Sequence, residues 1–221
     1  MIENELLEIA HNATSDIRSE PGRILYSSHE TLKHGLVYLM GFNPGGSEYG
    51  QSLESTTNKM LASTQNAYLD EIWGSVAGDY RDKAPLQNRV IWLLENLGLE
   101  TKNVCATNLI FIQSRDANKI PIKYAEICWP VHLKLLEIVK PKLIIVFGNS
   151  KLSPYDFLKN RLQGKEDFCG SSGHGKWALK GFECSIEGRK TYVAGFPHLS
   201  RYQPNRTEVL TWLKVLRQHL I

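Results

Sequence analysis

The chain alternates short, continuous apolar runs with longer segments in which apolar residues recur every three or four positions. The continuous runs predict buried strands, and the periodic segments predict amphipathic helices. Strands are predicted at 35–41, 104–112 and 142–148, and a hairpin at 182–196 adds a fourth strand and room for a fifth. Helices are predicted at 3–19, 86–99, 124–140, 149–161 and 206–219. This alternation favours an α/β fold with a mainly parallel sheet covered on both faces.

We therefore predict a three-layer α/β/α sandwich around a mainly parallel central sheet of about four strands. No internal repeat or linker interrupts the pattern, so residues 1–221 are expected to form one domain. The segment 47–85 is rich in Ser, Thr, Asn and Gly, and it could cover a pocket or narrow it. The region 164–180 shows little periodicity and is predicted to be a loop. Within it, GSSGHGKW (170–177) lacks the spacing of a phosphate-binding P-loop, although His174 could touch a phosphate.

The composition excludes several broad classes of protein. Apolar residues make up 42% and charged residues 22% of the chain, as in ordinary soluble globular proteins. No apolar run approaches the ~18 residues of a membrane span, and the N-terminus has no apolar signal core, so we expect a cytoplasmic protein. The four cysteines show no CxxC spacing and are predicted to be buried thiols, with no metal and no cofactor. The net charge of +3 permits a nucleic-acid partner without requiring one.

Polar side chains follow each predicted parallel strand: Asn43, Asn108, Asn149 and His198. In parallel α/β sheets ligands bind beyond the carboxyl ends of the strands, so we expect these residues around one crevice. Taken singly, each Asn is better explained as a cap or turn residue. Together, amides and an imidazole without a carboxylate pair suit the reading of an amide-like edge and the stabilisation of a developing anion. The glycine-rich turn at 41–46 would let a planar ligand approach the backbone.

Two of these turns resemble motifs of the uracil-DNA glycosylase superfamily. GFNPGG (41–46) is similar to the G-x-N-P-G motif of its mismatch-specific and single-strand-selective branches. FPHLSRY (196–202) resembles the second motif, with Leu199 in place of the usual Pro. The strand at 104–112 is similar to the family's central strand. The resemblance spans residues 35–215, and the order and spacing of the short motifs carry it.

The resemblance implies a monofunctional DNA glycosylase that flips uracil or a related deaminated base out of DNA and hydrolyses its N-glycosidic bond. Asn43 would orient the attacking water, because an amide positions a water but cannot act as a strong base. Asn108 would pair with the O4/N3 edge of the base. His198 would donate to O2 of the leaving base and stabilise it as an anion. The implied partner is DNA with a damaged base, and the implied enzyme is a monomer of base excision repair.

The resemblance also gives the first motif a role in binding the base. The turn formed by Gly41, Phe42, Pro44 and Gly45 would hold the base and the water through backbone N–H groups. Gly45 takes the position at which strict uracil enzymes carry an aromatic ring against C5, so the pocket should tolerate substituents at C5. Tyr49 or Phe42 would supply the stacking face, and Tyr49 is the preferred candidate.

The second motif would face the DNA backbone. Ser200 would contact a phosphate, and Arg201 or Tyr202 would fill the stack left by the flipped nucleotide. Leu199 in place of Pro is expected to loosen this turn. Two other functions stay open: a nucleobase- or nucleotide-binding protein of the same fold that does not cleave, and a hydrolase of small nucleosides that has no affinity for DNA.

Overall fold

The computed structural model describes residues 2–46, 49–73 and 83–221. Within these ranges the helices are α1 (Ile2–Ala13), α2 (Leu53–Lys59), α3 (Pro85–Glu95), α4 (Tyr124–Val139), α5 (Pro154–Arg161) and α6 (Thr207–Gln218). The strands are β1 (Val37–Gly41), β2 (Cys105–Asn108), β3 (Leu143–Phe147), β4 (Lys165–Ser171), β5 (Ala178–Ile186) and β6 (Arg189–Phe196). Each strand predicted from the sequence is present, and β4 is an addition.

All of these strands belong to one mixed sheet with the order β2-β1-β3-β6-β5-β4. The strands β2, β1, β3 and β6 are parallel neighbours. The strands β6, β5 and β4 are antiparallel neighbours. The α/β class is therefore confirmed, but the prediction of about four strands is wrong, because the sheet has six strands and an antiparallel hairpin at one side.

The strand β4 lies inside the region 164–180, which the sequence predicts to be a loop. Its side chains alternate between exposed and half-buried, as expected for the edge of a sheet, so no apolar run marks it. Phe168 anchors it, with its ring stacked on Trp212 of α6 at a centroid distance of 5.0 Å. An edge strand pairs with one neighbour and is not buried on both faces. Its sequence therefore lacks the continuous apolar run by which buried strands are predicted.

Two helices show where local sequence signals succeed and fail. As predicted, α4 continues through Pro130, which is exposed. The helix α5 begins at Pro154 rather than near residue 149, because the Ser153 hydroxyl accepts a hydrogen bond from the Asp156 N–H and Pro occupies the first turn. The side chain of Asn149, which the sequence offered as a cap, is therefore free for another role.

Apolar side chains of β1 point alternately into two clusters. Tyr38 and Met40 pack in a cluster that includes residues of α1 and α4. Val37 and Leu39 pack in a second cluster that includes residues of α3 and α6. Because successive side chains of a strand point to opposite faces, β1 is buried on both faces by helices. This double coverage explains its continuous apolar sequence.

His132 of α4 is a core histidine whose two ring nitrogens both have hydrogen-bond partners. It is fully buried, and its Nε2–H donates to the Leu109 carbonyl at 3.0 Å. Its Nδ1 therefore accepts from the Tyr38 hydroxyl at 3.0 Å, since a neutral imidazole carries one proton. Burial lowers the pKa of His132 to about 4, which keeps it neutral. These bonds tie α4 to β1 and to the end of β2.

The register brings the ends of the parallel strands to one edge of the sheet. Gly41 at the end of β1 pairs with Asn108 at the end of β2. Phe147 at the end of β3 pairs with Phe196 at the end of β6. Polar residues that follow these strands are therefore neighbours in space.

Two further expectations concern thiols and membranes. Cys105 and Cys128 are buried, whereas Cys184 is half-buried and Cys169 is exposed on β4, so the prediction of four buried thiols is wrong. Among the described residues, no helix combines the length and the apolar character needed to cross a bilayer.

Candidate functional site

A cleft of about 1020 Å³ opens at the edge where the parallel strands end. We call the lining residues contributed by the ends of these strands the strand-end wall: Phe42, Asn43, Gly45, Asn108, Gly148 and His198. A second group, the aromatic wall, comes from two segments outside the strands: Arg23, Tyr26, Tyr68, Glu71 and Trp73. The structure thus brings together Asn43, Asn108 and His198, as the sequence predicts.

Asn149 does not line this cleft. Its Nδ2 donates to the carbonyls of Ala178 at 2.7 Å and Gly195 at 2.8 Å. These bonds join the end of β3 to β5 and β6. Asn149 is therefore a structural residue, which is the role that the sequence left open for every strand-end Asn.

Asn43 is oriented by the main chain. Its Nδ2 donates to the carbonyl of Pro44 at 2.8 Å and to that of Ser114 at 3.2 Å, with Ile112 O at 3.5 Å. Carbonyl oxygens only accept, so the amide nitrogen must face them. This fixes the amide plane and leaves Oδ1 as the acceptor that Asn43 can offer to a water in the cleft.

Gly41 and Pro44 support the site from behind rather than line it. A Cβ atom on Gly41 would lie 2.2 Å from Asn108 Oδ1, so only glycine fits beside the buried Asn108. The Pro44 carbonyl accepts both from Asn43 Nδ2 and from the Ser114 N–H at 2.9 Å. Gly41 and Pro44 were predicted to contact the base, but neither lines the cleft. Instead, Gly41 makes room for Asn108, and Pro44 holds Asn43.

The cleft has open space beside Gly45. Gly45 lines the cleft, and a Cβ atom built on it meets nothing within 4 Å. Phe42 also lines the cleft, whereas the side chain of Tyr49 is 91% exposed and does not line it. The preference for Tyr49 as the stacking face is therefore wrong, and Phe42 is the residue of that pair at the site.

His198 is held as a neutral hydrogen-bond donor. The backbone N–H of Ser200 donates to His198 Nδ1 at 3.2 Å, and the Ser200 hydroxyl lies 2.7 Å from the same atom. Since an N–H cannot accept, Nδ1 is the acceptor, and Nε2 carries the proton of the neutral ring. Burial, and then the charge of Arg201, lower the pKa of His198. His198 therefore lines the cleft with a neutral ring that carries its proton on Nε2, the nitrogen that can act as a donor.

The turn that carries His198 is firmly anchored. Leu199 is fully buried in the core. The guanidinium of Arg89 on α3 donates to the carbonyls of Leu199 at 2.7 Å and Ser200 at 2.8 Å. The expectation that Leu199 loosens this turn is wrong, because burial and Arg89 supply the restraint that Pro would give.

Ser200, Arg201 and Tyr202 separate into two environments. Ser200 and Arg201 are exposed and line the cleft. Tyr202 is fully buried, and its hydroxyl donates to the Ser172 carbonyl at 2.5 Å. Tyr202 is therefore a packing residue and cannot fill a DNA stack in this arrangement, which leaves Arg201 for that role.

The aromatic wall is built around a half-buried ion pair. Arg23 forms two bonds with the Glu71 carboxylate, at 2.5 and 3.1 Å, and Trp73 Nε1 donates to the same carboxylate at 2.7 Å. Although burial opposes it, hydrogen bonds from Arg23 and Trp73 hold the pKa of Glu71 below its usual range. The Arg23 guanidinium also lies 4.6 Å from the centre of the Tyr26 ring. Glu71 is thus committed to holding the wall together.

The three aromatic rings of this wall contact one another. Centroid distances are 6.0 Å for Tyr26 and Tyr68, 5.8 Å for Tyr26 and Trp73, and 5.3 Å for Tyr68 and Trp73. Burial raises the pKa of Tyr26 to about 12, so its hydroxyl stays protonated, and it interacts with the side chain of Asn108. Asn108 and Tyr26 are therefore where the two walls meet.

Sequence reasoning missed the aromatic wall. Tyr26 reaches the cleft because its segment runs beside β2, with the Tyr26 N–H donating to Ala106 O at 2.8 Å. Tyr26 O in turn accepts from the Ala67 N–H at 2.7 Å. The two aromatic residues Tyr68 and Trp73 inside a polar segment were the available signal. Within the segment 47–85, which we expected to cover or narrow a pocket, residues 66–73 supply part of this wall, and residues 47–48 and 74–82 lie outside the described ranges.

The charges of the cleft favour an anionic ligand. Basic lining residues outnumber acidic ones by four to two: Arg23, Arg115, Lys151 and Arg201 against Glu71 and Asp116. Within the described ranges no three His, Cys, Asp or Glu side chains come together in a way that could hold a metal ion. The lining thus offers amide, imidazole, phenol and cationic groups around aromatic surface.

Comparison with known proteins identifies no family, since no family model and no curated protein matches the chain. The geometry of the cleft is therefore what bears on function.

Proposed function

We propose that this chain is a monofunctional DNA glycosylase that excises uracil or a related deaminated base from DNA during base excision repair. The observation that supports it is the convergence of the amides of Asn43 and Asn108 with a neutral imidazole, His198, in one cleft beside Gly45. We further propose that the chain is one cytoplasmic domain of the three-layer α/β/α type and acts as a monomer.

In the proposed reaction, Asn43 Oδ1 accepts a hydrogen bond from a water and directs its oxygen to C1′ of the flipped nucleotide. The glycosidic bond breaks and its electron pair leaves with the base, while the sugar develops positive charge and then bonds to the water. The water loses its proton to solvent. Asn43 positions the water without taking the proton, so the rate depends on its orientation.

His198 and Asn108 would act on the base. The Nε2–H of His198 donates to an oxygen of the leaving base, and this bond strengthens as negative charge develops there. Asn108 offers one donor and one acceptor to the edge of a pyrimidine or purine. The neighbouring Tyr26 hydroxyl adds a polar group that stays protonated at neutral pH.

The aromatic wall would take the place that the sequence gave to Tyr49. Phe42 and Trp73 are half-buried at the cleft and offer apolar surface for a flipped base, while the buried rings of Tyr26 and Tyr68 pack against Trp73. Outside it, Ser200 and Arg201 would contact the phosphates that flank the flipped nucleotide. Phe42, the aromatic wall, Ser200 and Arg201 would thus bind the substrate without taking part in bond cleavage.

One observation favours a second function, a nucleobase-binding protein that does not cleave. Asn43 Nδ2 donates to the Pro44 and Ser114 carbonyls and so stabilises the turn, which is the ordinary structural role of an Asn at a strand end. In this alternative the cleft binds a base or nucleotide, and no water is activated.

The two functions are separated by a single-turnover excision assay. The protein is incubated in excess with oligonucleotides that carry uracil, hypoxanthine, xanthine or 5-substituted uracils, single-stranded or mispaired, and abasic sites are then cut with alkali. Strand cleavage at one of these bases supports the glycosylase. Tight binding of the same oligonucleotides with every base intact supports the binding protein, and activity on free nucleosides without DNA affinity supports a small-molecule hydrolase.

A further inference from the structure

The tip of the hairpin formed by β4 and β5, residues 172–177, lies at the same edge of the sheet as the cleft. β5 is antiparallel to β6, with Lys180 opposite Gly195, so β5 begins near the carboxyl end of β6. Ser171 pairs with Ala178, which closes the tip at that end. The hairpin tip is therefore a neighbour of the turn that carries His198.

Hydrogen bonds fix the hairpin tip against this turn. The Tyr202 hydroxyl donates to Ser172 O at 2.5 Å, and the Arg206 guanidinium donates to Gly173 O at 2.8 Å. The Tyr202 N–H in turn donates to His198 O at 3.0 Å. One buried tyrosine thus connects the hairpin tip directly to the strand-end wall.

The base of the hairpin tip is also joined to the cleft. Asn149 Nδ2 donates to Ala178 O at 2.7 Å, and Lys180 Nζ donates to Asn149 O at 3.1 Å. Asn149 follows Gly148, which lines the cleft. The hairpin tip is therefore a preorganised extension of the site.

The outer side of the hairpin tip combines an aromatic ring with positive charge. Trp177 is 41% exposed, and its ring contacts those of His174 at 4.9 Å and Tyr202 at 6.0 Å. His174 and Lys176 are exposed beside it, and Arg201 is exposed at the rim of the cleft. An exposed indole next to Lys176 in the chain, on the tip that Tyr202 joins to the turn of Arg201, suits the stacking of a base whose phosphates these two cations neutralise.

We propose that the hairpin tip is a docking surface for single-stranded nucleic acid. The strand that leaves the cleft crosses Trp177, one of its bases stacks on the indole, and its phosphates face Lys176 and Arg201. A base inside a duplex is stacked on both faces, so the indole selects an unpaired base. This inference rests on the proposed function for its partner and adds a preference for single strands.

The test measures binding without excision, by fluorescence anisotropy of a labelled oligonucleotide that contains no damaged base. Trp177→Ala is expected to weaken single-strand binding about ten-fold, as for the loss of one stacked base, and Trp177→Phe is expected to restore most of it. Lys176→Gln should lower the salt dependence of log K by about 0.7, the contribution of one phosphate contact. The matched control is Lys102→Gln, since Lys102 is exposed and precedes β2 at the opposite edge of the sheet.

Binding that prefers single strands over duplex and falls in Trp177→Ala but not in Lys102→Gln supports the inference. Equal binding by wild type and Trp177→Ala overturns it, as does equal affinity for single and double strands. Excision of a damaged base together with unchanged binding by Trp177→Ala overturns this inference and leaves the glycosylase standing. Loss of binding in Trp177→Ala without any excision leaves the docking surface standing and removes the glycosylase.

Discussion

The two walls of the cleft are held in different ways. On the strand-end wall, Asn43 and His198 are fixed by bonds to main-chain groups, namely the Pro44 and Ser114 carbonyls and the Ser200 N–H. The aromatic wall is held by contacts between side chains, centred on an ion pair. Main-chain bonds fix the direction of a polar atom, whereas packed rings provide area. We therefore expect the strand-end wall to set the rate of reaction and the aromatic wall to set affinity.

The largest expected effect is that of Asn43→Ala on the rate of excision. Without the amide the water loses its orientation, and misplacement of a reacting group costs about 10²-fold. The single-turnover rate at saturating protein should fall by at least this factor, with little change in the affinity for the oligonucleotide.

Asn149→Ala is the matched control, because Asn149 also donates to two main-chain carbonyls but does not line the cleft. Each variant loses the hydrogen bonds that its Nδ2 donates to main-chain carbonyls, so both should lower the free energy of unfolding by about 1–3 kcal/mol, at about 1 kcal/mol for each lost bond. Only Asn43→Ala should lose excision. An equal loss of excision in the two variants would make Asn43 a structural residue.

His198→Ala is expected to lower the single-turnover rate by about 10²-fold, as for the loss of one donor to a developing anion. The pKa of His198 is lowered, so its neutral form is already present at pH 7, and the rate should not change on its account as pH rises further. As pH falls through the lowered pKa, Nδ1 gains a proton and loses its bond from the Ser200 N–H. Nitrogen NMR at pH 7 should show the neutral ring with its proton on Nε2, and a charged ring there would contradict this assignment.

Trp73→Ala sharpens the contrast between the walls. Loss of one ring from the aromatic wall should weaken oligonucleotide binding about ten-fold and leave the saturating single-turnover rate unchanged. Trp73→Phe, which keeps a ring but loses the bond to Glu71, should bind more tightly than Trp73→Ala. A fall in the single-turnover rate without a change in affinity would contradict this assignment, because Trp73 would then act on the reaction as the strand-end wall is expected to do.

Gly45→Ala is expected to have the smallest effect. The new methyl group meets nothing within 4 Å, so the free energy of unfolding should change by less than about 0.5 kcal/mol. The single-turnover rate of uracil excision should stay within about two-fold of that of wild type. Excision of uracils with bulky 5-substituents should fall more, because the methyl group occupies space at that side of the cleft. Competition between uracil and a 5-substituted uracil in one reaction measures this ratio, and an unchanged ratio would remove Gly45 from base selection.

The strand-end wall could be predicted from the sequence because local rules determine it. A continuous apolar run predicts a buried parallel strand, and the turn after such a strand lies at the ligand edge. Asn43, Asn108 and His198 could be named in this way without knowledge of the strand order. Local rules could not distinguish Asn43 from Asn149, because that difference depends on which main-chain carbonyls lie nearby in the folded chain.

The aromatic wall and β4 could not be predicted in the same way. Tyr26 is placed by pairing with Ala106 and Ala67, both far away in sequence. The strand β4 lies at the edge of the sheet, and its side chains alternate between exposed and half-buried. The contact that holds it against a helix is that of Phe168 with Trp212. The burial of Tyr202 likewise depends on the hairpin that covers it. Each of these features is decided by long-range contacts, which leave no periodic pattern.

The most direct test of the central claim is a mass-spectrometric analysis of the reaction products. A uracil-containing oligonucleotide and its 5-substituted, hypoxanthine and xanthine counterparts are incubated with wild type and with Asn43→Ala. At a reaction time at which wild type has just gone to completion, the account predicts an intact strand with an abasic site and one equivalent of free base for wild type, and at most about one hundredth of that product for Asn43→Ala. Unchanged oligonucleotide with wild type on every substrate, or equal release of base by both proteins, would contradict it.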